Sequence, residues 1–426
     1  MRGGARPMSA VRGLAAFGLL FALLTGPASA APERPVLASF EQPHLTADQL
    51  GVIVNEDDPD SVALAAYYQH KRGIPDANLI RVRIKPGRAT LGREEFIKLK
   101  RQVDRKTPRG VQAYALTWAQ PYRVDCMSIT SAFAFGFDPA YCASGCKPTK
   151  ASPYFNSGVT RPWDSYALRP TMSLAAASLA DARKLVDRGV AADDSAPAGT
   201  AYLLSTSDKA RNVRAADFPM VKKVLGPALA IDIVESDALE NRPDVLFYFT
   251  GSTHVAALES NRFLPGAVAD HLTSAGGVLF GGGQMSSLKW LEAGATGSYG
   301  AVVEPCNFPA KFPSPGLVMS HYLQGETLIE AYWKSVAMPG QGLFIGEPLA
   351  RPYGGVRQRD NAPGLVLEAS RLFAPGLYEI RAAPSMMGPY KRVRRVAVAP
   401  ATREIRIDRA LPAYYRFERI EPAPAK

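Results

Sequence analysis

Histidine and cysteine are scarce in this chain, at five and four of 426 residues. No histidine lies between Lys71 and Thr253, so the close pair Cys142 and Cys146 has no nearby imidazole in sequence to complete a zinc site. No stretch reaches about eighteen uninterrupted apolar residues, which excludes a membrane-spanning helix in the mature chain. Charge is not concentrated in blocks. Lys and Arg total 50 against 39 Asp and Glu, a formal +11, and the excess is spread along the sequence. The densest basic stretch, Lys391-Arg392-Val393-Arg394-Arg395, alternates with apolar residues as a strand does. A solvated strand face is expected there, with no nucleic-acid partner; contact with an anionic cell-envelope surface stays open. No cofactor is expected, and no metal.

What is present begins with an address. Arg2, Arg6 and Arg12 precede an apolar run of eleven residues, Leu14 to Leu24, and Ala28-Ser29-Ala30 follows with signal-peptidase spacing. The run is about half a bilayer span, and no lipobox cysteine follows it. Residues 1–30 therefore read as a cleaved signal peptide, and the mature protein begins near Ala31, exported to the periplasm or beyond. Without the three leader arginines the balance is 47 basic to 39 acidic, or +8. Four cysteines in an exported chain predict two disulfides among Cys126, Cys142, Cys146 and Cys306, with the pairing open.

Elements alternate. Gly51 to Val54 is a strand, broken by Asn55-Glu56-Asp57-Asp58-Pro59 and followed by a helix ending at Gly73-Ile74-Pro75; Leu79 to Ile84 is a second strand. Such βαβ order predicts a mostly parallel sheet with helices on both faces. Glu94 to Val103 reads as helix and Val111 to Trp118 as strand. From about 125 to 196 regularity fails, an insertion bearing three cysteines in which Thr171 to Asp187 is predicted helical. Strands resume at Tyr202 and Ile231. Val245 to Phe249 is fully apolar, the signature of a strand buried on both faces. Val268 to Leu272 is expected to be helix and Gly277 to Phe280 the next buried strand, ending in Gly281-Gly282-Gly283-Gln284. Tyr299 to Val303, a helix from Glu326 to Val336 and the strand Gly342 to Gly346 close an α/β domain spanning 31–352. Beyond it, 353–420 reads as a small antiparallel β module and 421–426 as a flexible tail.

On these residues the order of elements resembles the caspase-like fold, in the version used by gingipain-type cysteine peptidases. In that group an apolar strand ends in a Thr-Gly-His-Gly type turn, and the next strand ends in the nucleophilic cysteine. A closing helix Gly-Glu-Thr-Leu-x-Glu-Ala precedes a strand ending Gly-Asp-Pro. Here the counterparts are Thr250-Gly251-Ser252-Thr253-His254, Gly325-Glu326-Thr327-Leu328-Ile329-Glu330-Ala331 and Gly346-Glu347-Pro348. The whole chain is also similar to a family of exported bacterial proteins of unassigned function. The marks are Val54 to Pro59, Gln284-Met285-Ser286, Glu304-Pro305-Cys306-Asn307 and the run Gly325 to Val336. Ser252 stands where the peptidases have histidine, and the triglycine where they have cysteine. The resemblance therefore implies a caspase-like scaffold without its dyad.

Two readings of the site follow. The first is a non-peptidase binding or assembly protein whose ligand cleft is lined by Ser252, Gly281, Gly282, Gly283, Gln284 and Glu347. The second is a divergent hydrolase using Cys306 as nucleophile with His254 as base, or the carboxylates Glu304 and Glu347. A disulfide is the expectation for Cys306, since a free Cys306 leaves another cysteine unpaired. Structural roles are expected for His254, His271 and His321. The acidic loop Glu56, Asp57, Asp58 and Asp60 lacks EF-hand spacing, and helix capping is the expectation there.

Overall fold

The computed structural model describes residues 36–39, 43–142, 146–355, 364–368, 373, 375–408 and 413–422. The leader expected over 1–30 and the expected start near Ala31 lie outside them.

Ten strands form one sheet: β1 (Leu50–Asn55), β2 (Leu79–Val82), β3 (Ala113–Leu116), β4 (Thr171–Ser173), β5 (Thr200–Ser205), β6 (Ala230–Glu235), β7 (Val245–Gly251), β8 (Phe263–Leu272), β9 (Gly297–Ala301) and β10 (Gly342–Gly346). Their order is β6-β5-β7-β8-β9-β10-β4-β3-β1-β2. β2, β1, β3 and β4 pair in parallel, as do β6, β5, β7, β8 and β9. β10 runs antiparallel to β9 and meets β4 through Ile345 and Ser173. The expected mostly parallel α/β sheet is present.

Alternation along each strand sends side chains to two cores. Val52 and Val54 of β1, with Phe344 of β10, face one core; Ile53, Leu343 and Ile345 face the other. Helices α1 (Pro59–Arg72), α5 (Leu179–Ala192), α6 (Phe218–Leu225), α8 (Pro315–Leu323) and α9 (Leu328–Ser335) cover the first through residues such as Leu64, Val186, Phe218, Val318 and Ile329. Helices α2 (Arg93–Lys106), α3 (Ile129–Phe135) and α7 (Leu288–Ala293) cover the second through Phe96, Phe133 and Leu291. A short α4 (Pro162–Tyr166) lies between α3 and β4.

Two expectations need correction. Val268 to Leu272 is strand, the inner half of β8, and Gly277 to Phe280 is loop. The cause is a register shift: Val245 pairs Phe263 but Phe247 pairs Val268, so the residues between bulge out of the ladder. Pro265 and Gly266 sit in that bulge, where a missing N–H costs no ladder bond and the φ of 86° at Gly266 is tolerated. The second correction is in the insertion. Thr171–Ser173 is a strand at the heart of the sheet, and the helix begins at Leu179, capped by the Ser178 hydroxyl accepting from the Asp181 N–H. Three residues are too few to display a period of two.

The C-terminal strands are β11 (Gly364–Glu368), β12 (Gly376–Ala383), β13 (Lys391–Val398), β14 (Glu404–Asp408) and β15 (Tyr414–Pro422). They pair antiparallel, as expected, and bury Leu365, Ile380, Ile405 and Phe417 together. Glu421 and Pro422, assigned by sequence to a flexible tail, belong to β15; 423–426 lie outside the described residues. Val36–Ser39 also joins this sheet, antiparallel to β15.

Candidate functional site

The first candidate grows from the end of β1. Buried Asn55 stitches the strand to its surroundings: its amide donates to the Ile84 carbonyl at 2.8 Å and accepts from the Ile84 N–H at 2.9 Å. Its own N–H donates to the Ser61 hydroxyl at 2.9 Å, and Ser61 meets the Thr117 hydroxyl at 2.6 Å. Asp58 caps α1 by accepting from the Asp60 N–H at 3.1 Å, and Pro59 opens the helix. Arg83 pairs with Glu56 and Asp57. Capping, the expected role for this loop, is therefore present at Asp58, and among the described residues neither Asp58 nor Asp60 has an ion pair.

These two carboxylates line a cavity of about 240 Å³. Its second wall is Thr117 to Gln120, after β3, and its third is Leu174 and Ala176 to Ser178, after β4. Phe280, 41 % exposed, stands in the lining from the loop that follows β8. The Ser173 hydroxyl donates to the Trp118 carbonyl, which holds two of the walls together. The order β2-β1-β3-β4 makes the gap between the ends of β1 and β3 a point where chain connections leave in opposite directions, the usual seat of ligands in open α/β sheets.

A second group sits past the ends of β7 and β8. Gly251 is required because a Cβ there would run into the Arg211 carbonyl. Ser252 is turned inward to its own turn: its hydroxyl donates to the His254 carbonyl at 2.6 Å and accepts from the His254 N–H at 3.3 Å. His254 is exposed and does not line the cavity. Gln284 pins the following loop, its carbonyl accepting from the Thr273 hydroxyl and the Ala275 N–H, both at 2.8 Å. Thr273 in turn accepts from Arg211 Nε at 3.2 Å. Gly281, Gly282 and Gly283 form an exposed turn next to Phe280, with open space around Gly281 and Gly283. They do not end a strand, so the triglycine does not occupy the place that the sequence reading assigned to a lost thiol. The strand after β7 ends at Leu272, followed by Thr273 and Ser274.

His271 is buried on β8. The indole Nε1 of Trp290 donates to its Nδ1 at 2.9 Å, which leaves the proton on Nε2 for the Met285 carbonyl at 3.1 Å. Burial pushes its pKa down to about 3, so the ring is neutral and structural. His321 faces Glu326 at 3.1 Å from Nδ1 and Asn156 at 3.3 Å from Nε2, inside the fold.

The cysteines resolve into two bridges, Cys126–Cys142 and Cys146–Cys306, with Cα separations of 5.4 and 5.2 Å and no free thiol. Glu304 is exposed and serves the same turn: its carboxylate accepts from the Cys306 N–H at 2.6 Å, where Cys306 holds a φ of 55°. Glu347 lies far from it along the strand direction. β9 and β10 are antiparallel, so residues that follow them leave opposite edges of the sheet, and the Glu347 N–H bonds the carbonyl of Thr296, just before β9. Glu347 does not line the cavity. It is fully buried, accepts from the Tyr68 hydroxyl at 2.6 Å and from Arg72 Nε at 3.1 Å, and shares Arg72 with Asp193. Burial opposes the charge on Arg72, but Glu347, Tyr68 and Asp193 hold its pKa above the ordinary guanidinium value. Burial pushes Asp193 up to about 6 against the opposing pull of Arg72.

The structure thus gathers Asp58, Asp60, Gln120, Ser178 and Phe280, of which sequence singled out only the acidic pair. It does not gather Glu304 with Glu347.

No family model matches the chain, and no curated protein matches it. Two solved structures are similar in layout. One, titled "Structure of Protease", is 9 % identical, with a TM-score of 0.40 over 89 % of this chain and 93 % of that one. The other, titled "Complex of Porphyromonas gingivalis RgpB pro- and mature domains", is 10 % identical, with a TM-score of 0.37 over 88 % and 94 %.

Proposed function

We propose that this is an exported non-peptidase binding or assembly protein on a caspase-like scaffold, whose ligand seat is the cavity at the ends of β1, β3 and β4. The observation that supports this most is the cavity itself: a pocket at a strand-order switch, lined by an aromatic ring and by two carboxylates that have no ion pair among the described residues. The seat differs from the cleft drawn from sequence. Of that cleft, the triglycine loop borders it through Phe280, Gln284 shapes the loop, and Glu347 is removed to the opposite edge.

The hydrolase reading asks for a thiolate at Cys306, and in the bridge to Cys146 the sulfur has no proton to lose and no lone charge to attack with. Its carboxylate version asks for Glu304 and Glu347 on one cleft, against their positions on opposite edges. The missing dyad belongs to the same proposal and no longer rests on the triglycine.

Ala177 is an exposed lining residue, so Ala177→Trp fills the cavity without entering the core. Native mass spectrometry of protein purified from an exporting host is expected to find a small molecule on the wild type and none on this variant. Hydrolysis of a fluorogenic peptide library that is lost in His254→Ala or Cys306→Ser sinks the proposal.

A further inference from the structure

We propose that the hairpin turn 384–390 and the strand that leaves it dock on an anionic phospholipid surface. Among the described residues β13 is an edge strand of its sheet, paired with β12 alone. Its first five residues, Lys391 to Arg395, are all exposed, and packing begins only at Val396. Side chains on both faces of a strand are exposed together only where the strand overhangs its core. Four of these five are cationic. The fifth, Val393, is 49 % exposed, and Met387 in the turn is 46 % exposed.

The cations of the patch outnumber the acidic groups nearby. Glu379 lies opposite Arg395 at 3.6 Å and is also held by Arg381 at 2.7 Å. Arg394 donates to the carbonyl of Arg406 on β14, which brings two more exposed cations, Arg403 and Arg406, beside Glu404. Lys391 and Arg392 have no ion pair among the described residues.

Protecting an edge strand from pairing takes one or two charges and no exposed methionine. Cations together with exposed aliphatic side chains at one tip fit a lipid interface: guanidinium groups take headgroup phosphates two bonds at a time, and Met387 and Val393 enter the acyl boundary. A dissolved polyanion satisfies the charges and leaves those two side chains in water.

The test is vesicle co-sedimentation of the chain starting at Ala31, so that the apolar run Leu14 to Leu24 contributes nothing. Binding to phosphatidylcholine vesicles containing phosphatidylglycerol is expected, with little binding to phosphatidylcholine alone and release at high salt. The double variant Arg392→Gln, Arg394→Gln is expected to bind about thirtyfold more weakly, at the energy of two surface cations. Met387→Ser is expected to weaken it about threefold or more through lost apolar contact. Equal binding to both vesicle types overturns the proposal, as does double-variant binding equal to wild type. So does dextran sulfate binding of the same strength that ignores Met387→Ser, which points to a soluble polyanion instead. Circular dichroism of the variants separates lost binding from lost folding.

Discussion

Arg72 at the end of α1 and Glu347 after β10 form a hydrogen-bonded ion pair across 275 residues of chain, with side-chain exposures of 7 % and 0 %. Removing Arg72 strands Glu347 and Asp193 in the interior, whereas removing Glu347 leaves Arg72 still paired with Asp193. Arg72→Met is expected to lower stability by about 3–5 kcal/mol, Glu347→Leu by less because Arg72 keeps Asp193, and the two together by less than the sum of the singles. Guanidinium denaturation of the three variants checks this. Ligand binding at the far edge is unchanged in whatever fraction stays folded.

Asp193 gives a pH signature. Its folded pKa, about 6, lies above its ordinary 3.8, so between those values the folded chain holds a proton that the unfolded chain has released. Stability from this group is full below about pH 4 and declines as pH rises towards 6. Asp193→Asn cannot titrate and is expected to flatten that part of the stability profile, measured by thermal unfolding across the window.

The bridge Cys146–Cys306 closes 160 residues and Cys126–Cys142 closes 16. Chain entropy makes the long bridge the greater restraint on the unfolded state. Cys146→Ser with Cys306→Ser is expected to cost about 2–5 kcal/mol, and Cys126→Ser with Cys142→Ser less. Unfolding with and without reductant tests the order. Neither pair is expected to gain peptidase activity.

Gly251→Ala drives a methyl group into the Arg211 carbonyl, where no flexible side chain can yield. A loss of about 2 kcal/mol or more is expected, by analogy with overpacked cores. Ser252→Ala, which removes only turn bonds, is expected to cost about 1 kcal/mol. The two variants side by side show that the Thr-Gly turn serves packing.

Much of the sheet is legible in local pattern. Val245–Gly251 and Gly342–Gly346 are apolar on both faces, and such runs announce themselves. β8 is hidden because its bulge at Pro265-Gly266 imitates a chain break and leaves Val268, Ala269, His271 and Leu272 at helical spacing. The disulfide count is legible and the pairing is not, since which cysteines approach depends on where β9 ends relative to the insertion. The same limit applies to the cavity. Asp58 and Asp60 are visible as an acidic turn, but Gln120, Ser178 and Phe280 meet them only through strand order, which no local periodicity encodes. Glu304 and Glu347 looked equivalent because both follow strands; the reversal between β9 and β10 sends them apart.

Val36–Ser39 and Tyr414–Pro422 lie side by side, the earliest described segment zipped to the latest. Synthesis runs from one end to the other, so the opening strand waits unmatched while all the intervening chain emerges. Closure of this sheet is thus a late event in synthesis, and removing residues 414–422 takes away the strand that Val36–Ser39 pairs with.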